Sequence, residues 1–279
     1  MRFIKMHGLG NDYVYVDAIA GGKGPAAEPE LAGWPDERLR RLAVAVSDRH
    51  LGVGGDGLIL MLRGEQAPFR MRIFNADGSE GEMCGNGIRC VAKYLVDEGY
   101  ADGGELPIET RAGLIRTEVL GGDRRIRQVR VDMGPPRSVG DPLELEAAGG
   151  RWRCRPVSMG NPHAVVFVDD PGAVDLAVVG PALEHHRAFP GRTNVEFVRV
   201  AAPDRLEVRV WERGSGATLA CGTGACASAV AAAVEGRAGR RLAVDLPGGR
   251  LEVEWAADGR VWMTGPAEEV FRGEYPIPF

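Results

Sequence analysis

Lysine is nearly missing from this chain of 279 residues: its 34 basic residues include only Lys5, Lys23 and Lys93. None of the three lies in a loop beside the motifs described below, so a Schiff-base cofactor of the pyridoxal type is not expected. Cysteine is sparse as well. The five have no framework spacing, which speaks against a disulfide scaffold and for reduced thiols in the cytoplasm. Cys84 with Cys90, and Cys221 with Cys226, miss the usual zinc spacings and no histidine cluster accompanies them, so no metal and no cofactor is expected. A net charge of −5 leaves no basic footprint for nucleic acid. Arginine in place of lysine reads as genomic base composition. Long apolar runs are lacking too: Met1 to Gly10 has no apolar core or cleavage site, and Ala217 to Val234 is built from residues too small and polar for lipid. That stretch reads as a buried, closely packed helix.

What is present is a repeated phrase. Cys84-Gly85-Asn86-Gly87 and Cys221-Gly222-Thr223-Gly224 stand 137 residues apart (221 − 84), close to half of the chain. Each follows a strand-like run (Phe69 to Asn75; Leu206 to Glu212) and opens a helix-like run closing at Glu98-Gly99 or Glu235-Gly236. With 44% hydrophobic and 26% charged residues, this is a soluble globular composition long enough for two lobes.

In chain order, Arg2 to His7 and Tyr13 to Ala18 read as a hairpin with Asn11 at its tip, and Gly21 to Pro35 as a surface insertion. Pro35 to Ser47 carries Leu39, Leu42, Ala43 and Val46 on one helical face. Gly52 to Gly57 bends into a strand; it lacks the Lys-Ser/Thr ending of a phosphate loop. Strands are expected over 106–120, broken at Ala112-Gly113, and over 127–133. The second half replays this order: Val157 to Val168 is a hairpin with Asn161 answering Asn11, Ala173 to Ala188 a helix, and Thr193 to Val200 a strand. The expected organisation is α+β, with two pseudo-symmetric lobes, each a curled, mostly antiparallel sheet around a central helix. The first lobe covers 1–128, completed by 267–279, and the second covers 129–266.

A thiol at a helix N-terminus meets the positive end of the helix dipole and free N–H groups, which lower its pKa, while the following glycine admits a carboxylate to the same N–H groups. Two such sites facing one substrate suit inversion at an α-carbon: one thiolate removes the proton and the other thiol returns one. The bland alternative, buried packing cysteine, suits Cys90, Cys154 and Cys226 better. All five asparagines (Asn11, Asn75, Asn86, Asn161, Asn194) fall in turns or strand ends that the duplication brings toward the cysteine helices. Asn offers a donor and an acceptor for an amino acid's two ends. Glu212-Arg213 replaces Asn75-Ala76 in the repeat, where Arg213 could take a carboxylate and Glu212 an ammonium or an imidazole; His163 could tune the thiols.

These motifs, in this order over essentially the whole chain, resemble the diaminopimelate epimerases. The resemblance implies two lobes of β-barrel wrapped on a central helix, cofactor-independent interconversion of LL- and meso-diaminopimelate for lysine and cell-wall synthesis, and a homodimer. It implies Cys84 and Cys221 as the catalytic bases. Asn11, Asn75, Gly85, Asn86, Asn161, Asn194, Glu212, Arg213, Gly222 and Thr223 would contact substrate. Some members carry Gln where this chain has Gly57, so that contact is not carried over. The alternatives are a proline or hydroxyproline racemase, a related isomerase lacking one cysteine, or a non-catalytic amino-acid-binding or redox-switch protein in which the two thiols form a disulfide.

Overall fold

The computed structural model describes residues 1–22 and 24–279, so Lys23 lies outside the described residues. The first half runs β1 (Arg2–Gly8), β2 (Asn11–Asp17), α1 (Asp36–Ser47), β3 (Gly57–Arg63), β4 (Phe69–Asn75), β5 (Glu80–Gly81), α2 (Gly85–Asp97), β6 (Gly104–Thr110), β7 (Gly113–Gly122) and β8 (Ile126–Asp132). The second runs β9 (Ser138–Val139), β10 (Leu143–Ala147), β11 (Gly150–Ser158), β12 (Pro162–Phe167), α3 (Leu176–Glu184), β13 (Asn194–Ala202), β14 (Arg205–Glu212), β15 (Gly216–Thr218), α4 (Gly222–Val234), β16 (Arg241–Leu246), β17 (Gly249–Trp255) and β18 (Val261–Glu274). Two compact units result: Met1–Val131 with Gly265–Phe279, and Asp132–Thr264.

In the first unit the pairings run β1, β2, β3, β4, β6, β7, β8 and β18, and β18 returns to β1, which closes an 8-stranded barrel. The β2–β3 and β4–β6 pairs are parallel. The second unit repeats the pattern through β11, β12, β13, β14, β16 and β17, with β12–β13 and β14–β16 parallel. There the return runs through Met133, bonded to Val261, and through β9, which pairs with β11.

Strands β2 and β3 are buried on both faces because helices cover both. Val14, Val16, Leu58 and Leu60 form one core with Leu39, Leu42 and Val46 of α1. The alternate residues face α2: Tyr15 meets Cys90, and Ile59 lies against Gly87. In the second unit α3 supplies Leu176, Val179 and Leu183 to a core with Val166, Val195 and Phe197. The all-small helix α4 contacts β11 to β14, β16 and β17, as a helix apolar on every side must do to bury itself.

Three sequence expectations are corrected. Asn11 is the first residue of β2, and the turn is made by Leu9 and Gly10, both at positive φ. The 21–35 stretch is not wholly surface: Ala26, Ala27 and Leu31 are buried, and Leu31 belongs to the α1 core. The 173–188 helix is shorter, because Pro171–Ala173 is a separate turn of 3-10 helix and α3 ends at Glu184. The last strand runs on to Glu274 along β1, from His7↔Glu268 to Arg2↔Glu274.

Candidate active site

Both conspicuous thiols cap helices. Cys84 is the N-cap of α2 in extended conformation, and its Sγ accepts from Gly87 N at 3.3 Å. A Cβ added to Gly87 would lie 2.7 Å from Ile59 Cδ1, so the end of that side chain lies directly against the helix start. Cys84 Sγ also lies 3.3 Å from Asn11 Oδ1. Asn11 in turn donates from Nδ2 to Asp56 Oδ2 at 2.8 Å, and Asp56 is held by Arg49 at 3.0 Å. Arg49 and Lys5 also grip Asp12; burial opposes the charge on Asp12, but the two cations hold its carboxyl below the ordinary range. Asn75, the last residue of β4, donates to Ser79 Oγ at 2.9 Å. Asn86 is buried in the first turn of α2. The first unit thus gathers Asn11 at Cys84, with Gly85 and Asn86 directly after it.

Gly57 stands opposite Asn75 and beside Tyr13. A Cβ there would sit 2.1 Å from the Phe74 carbonyl and 2.9 Å from Tyr13 Cε1. A side chain at this place would require the backbone of β3 or β4 to shift.

Cys221 is the N-cap of α4, followed by Gly222. Its Sγ lies 3.5 Å from Thr223 Oγ1, Asn161 Nδ2 donates to Thr223 Oγ1 at 3.2 Å, and Asn161 Oδ1 lies 3.0 Å from His163 Nε2. His163 Nδ1 lies 2.7 Å from Glu196 Oε1, and both side chains are fully buried. On the other side Glu212 accepts from Thr218 Oγ1 at 2.6 Å and from the Cys221 thiol.

The expected lowering of the thiol pKa fails at Cys221. Burial, followed by the carboxylates of Glu212 and Glu196, pushes the thiol well up, against the Thr223 hydroxyl. Desolvation and two nearby carboxylates outweigh the helix dipole, so the resting group is a thiol aimed at an acceptor. Burial likewise pushes Glu212 up, against hydrogen bonds from Thr218 and Cys221. Cys90 is pushed up to about 11 and Cys154 to about 12 by burial, which leaves both inert.

Asn194 and Arg213 are tied to each other. Asn194 donates to Pro162 O at 2.8 Å and accepts from Arg213 N at 2.9 Å, so its amide is spent on backbone. The Arg213 guanidinium is exposed and reaches Gly191 O at 3.2 Å. Reading by sequence missed Glu196, Asp56 and Thr218. The signal for Glu196 was a lone carboxylate in the apolar strand Asn194 to Val198, where burial demands a partner.

A family model described as diaminopimelate epimerase matches residues 3–139 and 156–270. A diaminopimelate epimerase of Moorella thermoacetica is 51% identical over 290 residues, covering 99% of this chain and 100% of that protein. One of Pelotomaculum thermopropionicum is 49% identical with 99% of both covered. Among solved structures, a PhzF-family phenazine biosynthesis protein of Bacillus anthracis superposes with a TM-score of 0.73 at 18% identity, covering 99% of each chain. A probable proline racemase of Agrobacterium radiobacter gives 0.68 at 20%, covering 99% of this chain and 93% of that one. At these identities the two structures speak for the fold alone.

Proposed function

The chain belongs to the diaminopimelate epimerase family, and from that premise we propose that Cys84 and Cys221 are the two bases with which it works. The enzyme is an isomerase that interconverts LL- and meso-2,6-diaminopimelate in lysine biosynthesis. In the proposed chemistry one thiolate takes the α-proton, the C–H electron pair delocalises into the substrate carboxylate, and the other thiol delivers its proton to the opposite face of the carbon. The stereocentre inverts, the first cysteine ends as thiol and the second as thiolate, and exchange with solvent resets the pair. The observation that carries this reading is the repeated helix cap, with each thiol served by an asparagine of its own unit: Asn11 at Cys84, and Asn161 through Thr223 at Cys221.

The elevated Cys221 thiol must lose its proton when it acts as base. Glu212, hydrogen-bonded to it and itself pushed up by burial, is the proposed acceptor. The N–H groups after Cys84 and Cys221, at Gly85 and Asn86 and at Gly222 and Thr223, are proposed to hold the carboxylate whose charge grows in the transition state. Asn75 and Arg213 are proposed to bind the ends of the substrate, with Asn194 placing the Arg213 backbone. We also propose a cytoplasmic homodimer. Exposure of the apolar Val270 and Phe271 on β18 supports the self-association.

The test is incubation of the reduced protein with LL-diaminopimelate and with proline in heavy water. Epimerisation of the first alone is expected, with deuterium entering product before recovered substrate. Cys84→Ala and Cys221→Ala should each abolish turnover. Full activity in either variant removes that residue as a base.

A further inference from the structure

Arg213 sits in a turn whose two flanks are held by one buried carboxyl. Glu212 to Ser215 close tightly after β14: Ser215 N donates to Glu212 O at 3.1 Å, and Gly214, at φ +80°, takes the left-handed place that favours glycine. Glu184 is the last residue of α3, and its side chain is 4% exposed. Its Oε2 accepts from Trp211 Nε1 at 2.8 Å, while its Oε1 accepts from Gly214 N at 3.0 Å and from the Arg192 guanidinium at 3.3 Å. Indole, backbone amide and guanidinium can each only donate, so all three contacts need an oxygen of Glu184 as acceptor. A Cβ added to Gly180 would lie 2.4 Å from Trp211 Cδ2, so α3 runs directly against the indole as well.

Arg192 brings in a second turn. It stands in the left-handed region, at φ +58°, which is uncommon for a long side chain, and its N donates to Phe189 O at 2.8 Å. Gly191, in that turn, is the residue whose carbonyl accepts from the Arg213 guanidinium at 3.2 Å. Glu184 therefore joins the turn that bears Arg213 to the turn on which its guanidinium rests.

The duplication shows that the fold does not ask for this arrangement. At the offset of the cysteines, α1 ends in Ser47 where α3 ends in Glu184, β4 carries Phe74 where β14 carries Trp211, and Ala76 stands where Arg213 does (184 − 47 = 211 − 74 = 213 − 76 = 137). Ser47 is buried and its Oγ has no hydrogen-bond partner among the described residues; Phe74 has no side-chain N–H to give. The first unit closes without a carboxyl at this place, and burying one costs desolvation. Carboxyl, indole N–H and arginine come together only in the unit whose turn presents a cation.

We propose that Glu184 is a positioning residue for substrate binding: it fixes Arg213 by holding Trp211 and Gly214 on either side of it and, through Arg192, the turn whose Gly191 carbonyl its guanidinium touches. Glu212 has holds of its own in Thr218 and in the pairing with Gly216, so loss of Glu184 releases Arg213 and leaves the partner of Cys221 in place. The carboxylate at the reacting carbon is assigned to the N–H groups of the helix starts, which leaves Arg213 the end of the substrate that does not react. Contacts at that end are the same before and during proton transfer, so loosening them acts on KM and spares kcat.

This inference rests on the proposed role of Arg213, and a double-mutant cycle separates the two. Glutamine at this position has one oxygen and cannot accept from Trp211, Gly214 and Arg192 together. Glu184→Gln should raise KM for LL-diaminopimelate about tenfold, the scale of one hydrogen bond to a charged group, with kcat changed by less than about threefold. The rise should vanish in an Arg213→Ala background, where a general loosening of the fold would persist. An equal rise in both backgrounds, or a fall in kcat with KM unchanged, overturns the proposal. Trp211→Phe, which copies Phe74 and removes only the N–H, should give the same pattern at smaller size and decides the matter if Glu184→Gln does not fold. Amide hydrogen exchange needs no turnover: the Gly214 N–H should exchange about tenfold faster in Glu184→Gln than in the wild type, and unchanged protection overturns the proposal. Wild-type KM in Arg213→Ala, or no epimerisation by the wild type, refutes the functional reading instead, and the exchange rate then still decides whether Glu184 holds the turn.

Discussion

Replacing Glu212 by glutamine should raise the reactivity of Cys221 while lowering turnover, because one carboxylate both opposes the thiolate and receives its proton. Glutamine keeps the size of the side chain and an oxygen for the Thr218 hydroxyl, which lies at 2.6 Å; it removes the charge. Two unit charges ~4 Å apart interact by roughly 4 kcal/mol at an effective dielectric of 20. Burial and Glu196 still act on the thiol after the change. With part of the Coulomb energy lost to relaxation, the thiolate fraction of Cys221 should rise ~10–100-fold at fixed pH, since each 1.36 kcal/mol is a factor of ten. The assay is the rate of iodoacetamide capture at Cys221 at pH 8 in a Cys84→Ala background, read by peptide mass spectrometry. Turnover, measured with Cys84 present, should fall ~100-fold or more if Glu212 is the proton acceptor.

Stability supplies an independent check with a definite sign. Burial raises Glu212 in the folded protein, so between its unfolded and folded values the native state binds more protons, and wild-type stability falls as pH rises through that window. Glutamine has no such loss. The difference in Tm between Glu212→Gln and wild type should therefore grow in favour of the variant from pH 4 to neutrality. Unchanged labelling together with undiminished turnover, or a Tm difference that shrinks with pH, would refute the reasoning.

Two further substitutions test how the site is held. Gly57→Ala brings a Cβ within 2.1 Å of the Phe74 carbonyl, so β3 and β4 must part; a loss of about 1–3 kcal/mol in urea unfolding is expected, and wild-type stability would show the backbone to be freer than described. Asp97→Asn leaves Lys93 and Arg127 facing a neutral amide where Asp97, 2% exposed, now pairs with both; breaking a buried pair should cost about 3–5 kcal/mol, whereas Arg124→Ala, at the exposed edge of the same cluster, should stay within about 1 kcal/mol.

Much of the architecture was legible in the chain because it depends on local spacing. The repeat of Cys-Gly-x-Gly, the apolar face of Leu39, Leu42, Ala43 and Val46, and the all-small run after Cys221 are statements about neighbours in sequence. Helix capping and strand alternation follow from such neighbours directly. The 21–35 stretch was misread for the converse reason. Its Gly and Pro content describes the backbone, while the burial of Leu31 is decided by α1, which comes later in the chain.

At the site the division is sharper. Sequence by itself determined that two thiols start two helices, that Asn11 and Asn161 occupy corresponding hairpins, and that the halves differ at Glu212-Arg213. Only the tertiary structure decided that Asn11 opens a strand, that Gly57 is walled by the Phe74 carbonyl, and that Glu196 lies against His163. It also reversed the expected state of Cys221. A helix dipole can be read from the residues that form the helix. Desolvation and the charges of Glu212 and Glu196 act through space, from strands that the sequence places 9 and 25 residues before the thiol (221 − 212; 221 − 196).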